Sequence, residues 1–213
     1  MKIGIIGASG KAGSLILQEA VERGHEVTAI VRDASKIQNK QVHVVEKNIF
    51  DIKSEDLQKY DVVVNAFGAA PGQEHQHVEA GRVLIEALKA APNTRLIVVG
   101  GAGSLFTDES KTVRVMDTPD FPAAFLPTAK NQGQNLEDLQ HSTGIQWTFV
   151  SPAGFFDPAG KRTGSYKKGG DVLTLNSKGE SYISYADFAI AFLDEIENPQ
   201  HKNERFSVVG EAE

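Results

Sequence analysis

The chain has 213 residues, 40% hydrophobic and 23% charged, the proportions of an ordinary globular domain rather than a disordered or membrane-embedded one. A net charge of -6 and a pI near 5.6 argue against a phosphate-backbone binder, so nucleic acid is not an expected partner. The sequence contains no cysteine, which removes disulfides and thiolate chemistry and leaves stability to the core. No apolar run has the length of a secretory signal core or a bilayer span, so the expectation is a cytoplasmic protein with no membrane association. The length suits one doubly wound α/β domain over residues 1–213, and a homo-oligomer is compatible with it.

Taken in chain order, the first predicted strand covers Lys2 to Ile6 and runs into Gly7-Ala8-Ser9-Gly10-Lys11-Ala12-Gly13. A helix follows from Lys11 to Arg23, with Ala12, Leu15, Ile16 and Ala20 on one stripe and Gly24 as its stop. Further strands are expected at Glu26 to Val31, Val42 to Glu46 and Asp61 to Asn65. Gly81, Leu84, Ile85 and Leu88 mark a second long helix, and Arg95 to Val99 the next strand. A sixth strand is predicted at Gln146 to Val150. From Asp157 to Tyr182 the pattern changes to Gly, Lys and Ser-rich turns, which reads as an added loop or hairpin. Tyr185, Phe188, Ala189, Phe192 and Ile196 form a helical core stripe that stops at Asn198-Pro199, and Arg205 to Val208 closes the series. Alternating strands and helices of this kind specify a Rossmann-type parallel sheet with helices on both faces.

The glycine string sits between a strand and an amphipathic helix, which is the context in which such a string binds a dinucleotide. One glycine makes the tight turn, another admits the pyrophosphate to the backbone, and a third lets helix and strand pack closely. Gly7, Ser9, Gly10, Lys11, Ala12 and Gly13 are the expected phosphate-binding residues, with Ser9 and Lys11 offering a hydroxyl and an ammonium. Cofactor choice falls to the end of the second strand, where NAD binders place a carboxylate. Here Arg32 stands 19 residues after Gly13, and a guanidinium clamps a 2′-phosphate that a carboxylate repels. The expectation is NADP(H) in preference to NAD(H). Asp33 offers the competing reading, either as the ribose ligand or as a cap for the turn at Ala34-Ser35.

The strings Ile5-Ile6-Gly7-Ala8-Ser9-Gly10-Lys11-Ala12-Gly13, Val31-Arg32-Asp33, Asn65-Ala66-Phe67-Gly68, Val99-Gly100-Gly101-Ala102-Gly103-Ser104-Leu105, Ser151-Pro152-Ala153-Gly154-Phe155-Phe156 and Ile183-Ser184-Tyr185-Ala186-Asp187-Phe188 together resemble the atypical short-chain dehydrogenases. The nearest subgroup is the set provisionally assigned as NADH-flavin reductases, similar to biliverdin reductase B and to NmrA-like proteins. The resemblance implies that Asn48 and Ile49 lie near the adenine, although Asn48 departs from the family's aspartate. It implies that Ala66, Phe67 and Gly68 line the ribose and pyrophosphate. Gly100, Gly101 and on to Ser104 would face the nicotinamide, and Pro152 to Phe155 would close over it.

Conventional short-chain dehydrogenases protonate an alkoxide with a Tyr-x-x-x-Lys pair. Four residues after Tyr60, Tyr166, Tyr182 and Tyr185 stand Val64, Gly170, Ala186 and Ala189, so the pair is absent. Carbonyl reduction by that route is disfavoured. A flavin or quinone asks less, because hydride goes to a conjugated ring and the proton comes from water, leaving orientation to the protein. Phe67, Phe106, Phe155 and Phe156 are candidate walls for such a small-molecule acceptor, with Tyr166 folding over from the insertion; ordinary core packing is the competing reading for each phenylalanine. Ser104 is the candidate catalytic hydroxyl, although a Gly-Ser turn needs no function. His75 and His77 have a poor spacing for a shared metal, and no metal is expected. The leading function is an NAD(P)H-dependent reductase of a planar conjugated acceptor; the alternative is a non-catalytic NADP-binding redox sensor of the NmrA type.

Overall fold

The continuously apolar strand segments are explained by what covers them. In the computed structural model, which describes residues 1–212, β1 (Lys2–Ile6), β2 (Glu26–Val31), β3 (His43–Glu46), β4 (Val62–Asn65), β5 (Arg95–Val99) and β6 (Gln146–Ser151) form a parallel sheet. The C-terminal β10 (Glu204–Val209) adds parallel to β6, and the short β8 (Lys167–Gly169) pairs antiparallel at the edge, giving the order β3-β2-β1-β4-β5-β6-β10-β8. All seven predicted strands are present, with ends shifted by at most one residue.

Side chains alternate between two cores, as the period of a strand requires. Ile3, Ile5, Val62, Val64, Ile97 and Val150 face α1 (Lys11–Glu22) and α5 (Tyr185–Glu197). Ile6, Val63, Leu96, Val98, Trp147 and Phe149 face α3 (Gln76–Leu88) and α4 (Leu126–Gln140). Both faces are covered by helices, so the central strands read as near-continuous apolar runs. A one-turn helix α2 (Ser54–Leu57) precedes β4.

Helix α4 escapes the periodicity argument. Its sequence LPTAKNQGQNLEDLQ is mostly polar, and only Ala129, Gly133, Asn135, Leu136 and Leu139 are buried. It docks because glycine permits it: a Cβ at Gly81 of α3 would run into the Asn135 side chain.

Residues 157–182 do not form a separate layer. Strand β7 (Phe155–Asp157) pairs in parallel with β9 (Tyr182–Ser184), and the intervening chain is tied down by buried Asp187, which accepts from Thr163 N (2.9 Å), Thr163 Oγ1 (2.6 Å) and Gly164 N (3.0 Å). Tyr166 points into this packing, its hydroxyl donating to Asp194 (2.7 Å), so it does not fold over the sheet's carboxyl ends as expected. Among the described residues no helix is long and apolar enough to cross a membrane.

At the opposite end of the sheet from the strands' carboxyl termini lies a buried ion cluster. Glu195, fully buried, accepts from Arg95 Nη2 (2.7 Å), from the backbone N–H groups of Gln200 (3.0 Å) and His201 (2.9 Å), and pairs with His201 Nδ1 (2.9 Å). Burial works to raise this carboxyl, but the bonds from His201, Arg95 and Gln200 outweigh it and hold it below its ordinary value of 4.5. A carboxyl depressed on folding stabilises the native state above its unfolded value, and that stabilisation is lost as pH falls through the folded one. Glu195→Gln should therefore cost about 3 kcal/mol at neutral pH, because Arg95 is left without its counter-charge, and the cost should shrink on acidification. Urea unfolding of both proteins at neutral and acidic pH checks this; a pH-independent difference would contradict it.

Candidate functional site

The strand order reverses between β1 and β4, and a cleft of about 1060 Å³ opens over the carboxyl ends there. Its volume exceeds the roughly 300–1,000 Å³ usual for one small ligand, so it has room for more than one ring system. At its centre is the glycine loop. Gly7 has φ +77°, a left-handed conformation that L side chains resist, and a Cβ on it would meet the Ala66 carbonyl. Gly13 is equally constrained, since a Cβ there would strike the Gly7 carbonyl. Gly13 thus serves helix–strand packing and, unlike the other expected residues of the loop, does not line the cleft.

Gly7, Ser9, Gly10, Lys11 and Ala12 do line the cleft. Gly10 is the N-cap of α1 in extended conformation, with no capping side chain, and the first helical bond runs from Ser14 N to Gly10 O (2.9 Å). The first-turn amides of α1 are therefore left for an anion, at the positive end of the helix dipole.

On the β2–β3 side the lining residues include Arg32, Lys36, Lys47 and Ile49. Arg32 is exposed and makes no ion pair or side-chain hydrogen bond among the described residues. Asp33 is turned to local work: its carboxylate accepts from Ser35 N (3.0 Å) and Ser35 Oγ (2.6 Å), capping the turn at Ala34–Lys36, and these bonds hold its pKa down. Lys47 is partly committed to Asp56 (2.8 Å). Asn48 is another cap, its Oδ1 accepting from Phe50 N (3.1 Å), and it does not line the cleft, whereas its neighbour Ile49 does.

On the β4–β5–β6 side Ala66, Phe67, Gly68, Gly100, Gly101 and Pro152 line the cleft as expected. Phe67 is set edge-on to His77, at 5.6 Å between centroids, and burial keeps His77 below its ordinary pKa. Gly101 is bare because the Gln132 side chain of α4 occupies the space a Cβ would take.

Three further expected residues fall outside. Ser104 is buried, its hydroxyl accepting from Arg205 Nη1 (2.9 Å) and its carbonyl from Arg205 Nη2 (3.2 Å), so it anchors β10 to the loop and is not a catalytic hydroxyl of the cleft. Phe155 is 59% exposed and turned to Tyr182, while its neighbour Phe156 faces the cleft and stacks on Tyr185 at 3.8 Å. Phe106 also lies outside, bridging to Val172. Their places are taken by Phe121, Phe125 and Tyr185, none of which the pattern of apolar residues marked as a site. Tyr185, read as core, is half-buried, and burial raises its phenol, which stays protonated at neutral pH.

A bare-backbone anion cradle joined at a strand-order switch to an aromatic-walled recess defines a single-domain Rossmann-type dinucleotide-binding protein. The chain belongs to the NAD(P)H-binding family, whose sequence profile matches residues 7–199. It is 70% identical over the full length of both chains to the protein YwnB of Bacillus subtilis. A Streptococcus pneumoniae protein provisionally described as an NADH-flavin reductase superposes with a TM-score of 0.94 at 45% identity, covering 99% of this chain and 100% of that one. An NAD(P)H azoreductase of Xenophilus azovorans is 24% identical over 97% of this chain and 67% of its own length. The latter two relatives are named as reductases, whereas a Bacteroides thetaiotaomicron protein, 36% identical with a TM-score of 0.87 over 98% of this chain and 96% of that one, is provisionally described as an epimerase; the fold of this chain is that of an NAD(P)-binding oxidoreductase.

Proposed function

We propose that the chain is an NADPH-dependent reductase that delivers hydride to a planar conjugated acceptor such as a flavin or a quinone. The observation that carries this reading is one continuous cleft whose cationic end, at Lys11, Arg32 and Lys36, leads past the glycine loop to walls made by Phe67, Phe121, Phe125, Phe156 and Tyr185. The first-turn amides of α1, with Ser9 and Lys11, would hold the diphosphate. Arg32, without a side-chain partner among the described residues, and Lys36 beside it would take the 2′-phosphate, while the competing carboxylate of Asp33 is spent on its own turn. A reduced nicotinamide, when bound, supplies the hydride, two electrons and a proton, and water supplies the second proton that the acceptor takes up.

The protein's own contribution is placement. Aromatic walls press an acceptor ring flat, Gly100 and Gly101 leave the strand end open to it, and the Pro152-Ala153-Gly154 backbone borders the same space. Tyr185 presents a neutral hydroxyl at the wall without a lysine beside it: Lys130 is exposed and outside the lining. An acceptor that needs no protein acid suits this inventory better than a ketone does.

The test is steady-state loss of NADPH absorbance with riboflavin, a naphthoquinone and a small ketone in parallel. Oxidation with the ring acceptors and not with the ketone is the expected result. Tight NADPH binding without turnover on any acceptor would replace the reductase with a redox sensor of the NmrA type.

A further inference from the structure

The cleft is electrically lopsided. Its lysines and arginine all come from the glycine loop and the β2–β3 side, namely Lys11, Arg32, Lys36 and Lys47. Beyond β5 and β6 the lining, among the described residues, consists of neutral side chains and one carboxylate, the exposed Asp120. The stretch that carries this wall also holds Asp108, Glu109 and Asp117. Its two cations are already engaged: Lys111 with Asp171 (3.7 Å), and Arg114 with Asp117 (2.9 Å) and Glu137 (3.9 Å).

One helix begins in this wall, and a helix start ordinarily attracts anions. Here its first two positions offer no N–H. The N–H of Leu126 is given to the Ala123 carbonyl in the preceding turn, and Pro127 has no N–H to give. An acceptor bearing a phosphate or sulfonate would therefore bring its charge toward Asp120 with no lysine or arginine in the lining on that side to meet it.

We propose that the physiological acceptor is an uncharged conjugated ring, and that Asp120 is a specificity-determining residue that selects against anionic acceptors. This rests on the reductase reading and narrows it. The same carboxylate leaves the cofactor's phosphates untouched, because they bind at the far, cationic end of the cleft. Coulomb repulsion between exposed charges is modest and screened by salt, so the discrimination should be a matter of several-fold and should fade as ionic strength rises.

Riboflavin and FMN differ by one phosphate and provide the test, with a naphthoquinone and its sulfonate as a second pair. Binding of each to the NADP⁺-loaded protein by equilibrium dialysis, and kcat/KM with NADPH, should favour the uncharged member by roughly three- to tenfold at low salt. High salt should shrink that ratio, and Asp120→Lys should abolish or reverse it. Equal or better binding and turnover of the anionic members overturns the inference and leaves the reductase intact. Failure of all four acceptors to be reduced by a protein that binds NADPH overturns the reductase itself.

Discussion

Gly10→Val should lose dinucleotide binding by at least about a hundredfold, roughly 2.7 kcal/mol, while the far-ultraviolet dichroism of the chain stays unchanged. The structure separates these two outcomes. A Cβ at Gly10 would have only the Gly7 carbonyl near it, at 3.3 Å, and Gly10 already adopts an extended conformation open to any residue. The branched side chain would instead project into the space where the diphosphate must approach the α1 amides, which line the cleft. Gly13→Ala should behave in the opposite way, damaging the fold first, since its Cβ meets the Gly7 carbonyl. Titration calorimetry with NADPH and a thermal melt on each variant make the comparison. Retained affinity in the Gly10 variant would reduce the loop to a structural turn.

Arg32→Asp should weaken NADPH by about a hundredfold and NADH by no more than a few-fold. Replacing a cation by an anion both removes a bidentate phosphate partner and adds a repulsive one, whereas a ribose hydroxyl accepts either neighbour. No internal ion pair of Arg32 is broken among the described residues, so folding should be unaffected. An equal loss for both cofactors would remove Arg32 from the choice between them, and Lys36 would become the next residue to test.

The parts of this molecule that could be read from sequence are those set by short-range physics. The apolar runs Val62-Val63-Val64 and Leu96-Ile97-Val98-Val99 could only be strands buried on both faces, and they are. The glycine loop was legible because strand, turn and helix follow one another directly. Helix α4 was not, because its buried stripe is narrow and leans on a glycine of another helix. Phe155 and Phe156 show a different limit. Successive strand residues point to opposite faces, and which of two adjacent phenylalanines meets the cleft depends on β7 pairing with β9, 27 residues onward. Ser104 shows a third: its partner Arg205 is 101 residues away, so nothing local distinguishes an anchoring hydroxyl from a reactive one.

Arg205 lies on β10, at the far side of the sheet from the glycine loop. With Ser104, Ser151 and Asp171 it fastens three distant stretches of chain to the last parallel strand, and burial lowers its pKa while Asp171 (2.9 Å) supports its charge. The bed that receives the cofactor lies outside this clasp, built by the first half of the polypeptide. Substitutions in the stretch from residue 105 to 128 should therefore reshape the far wall of the cleft while the glycine loop and this fastening stay in place.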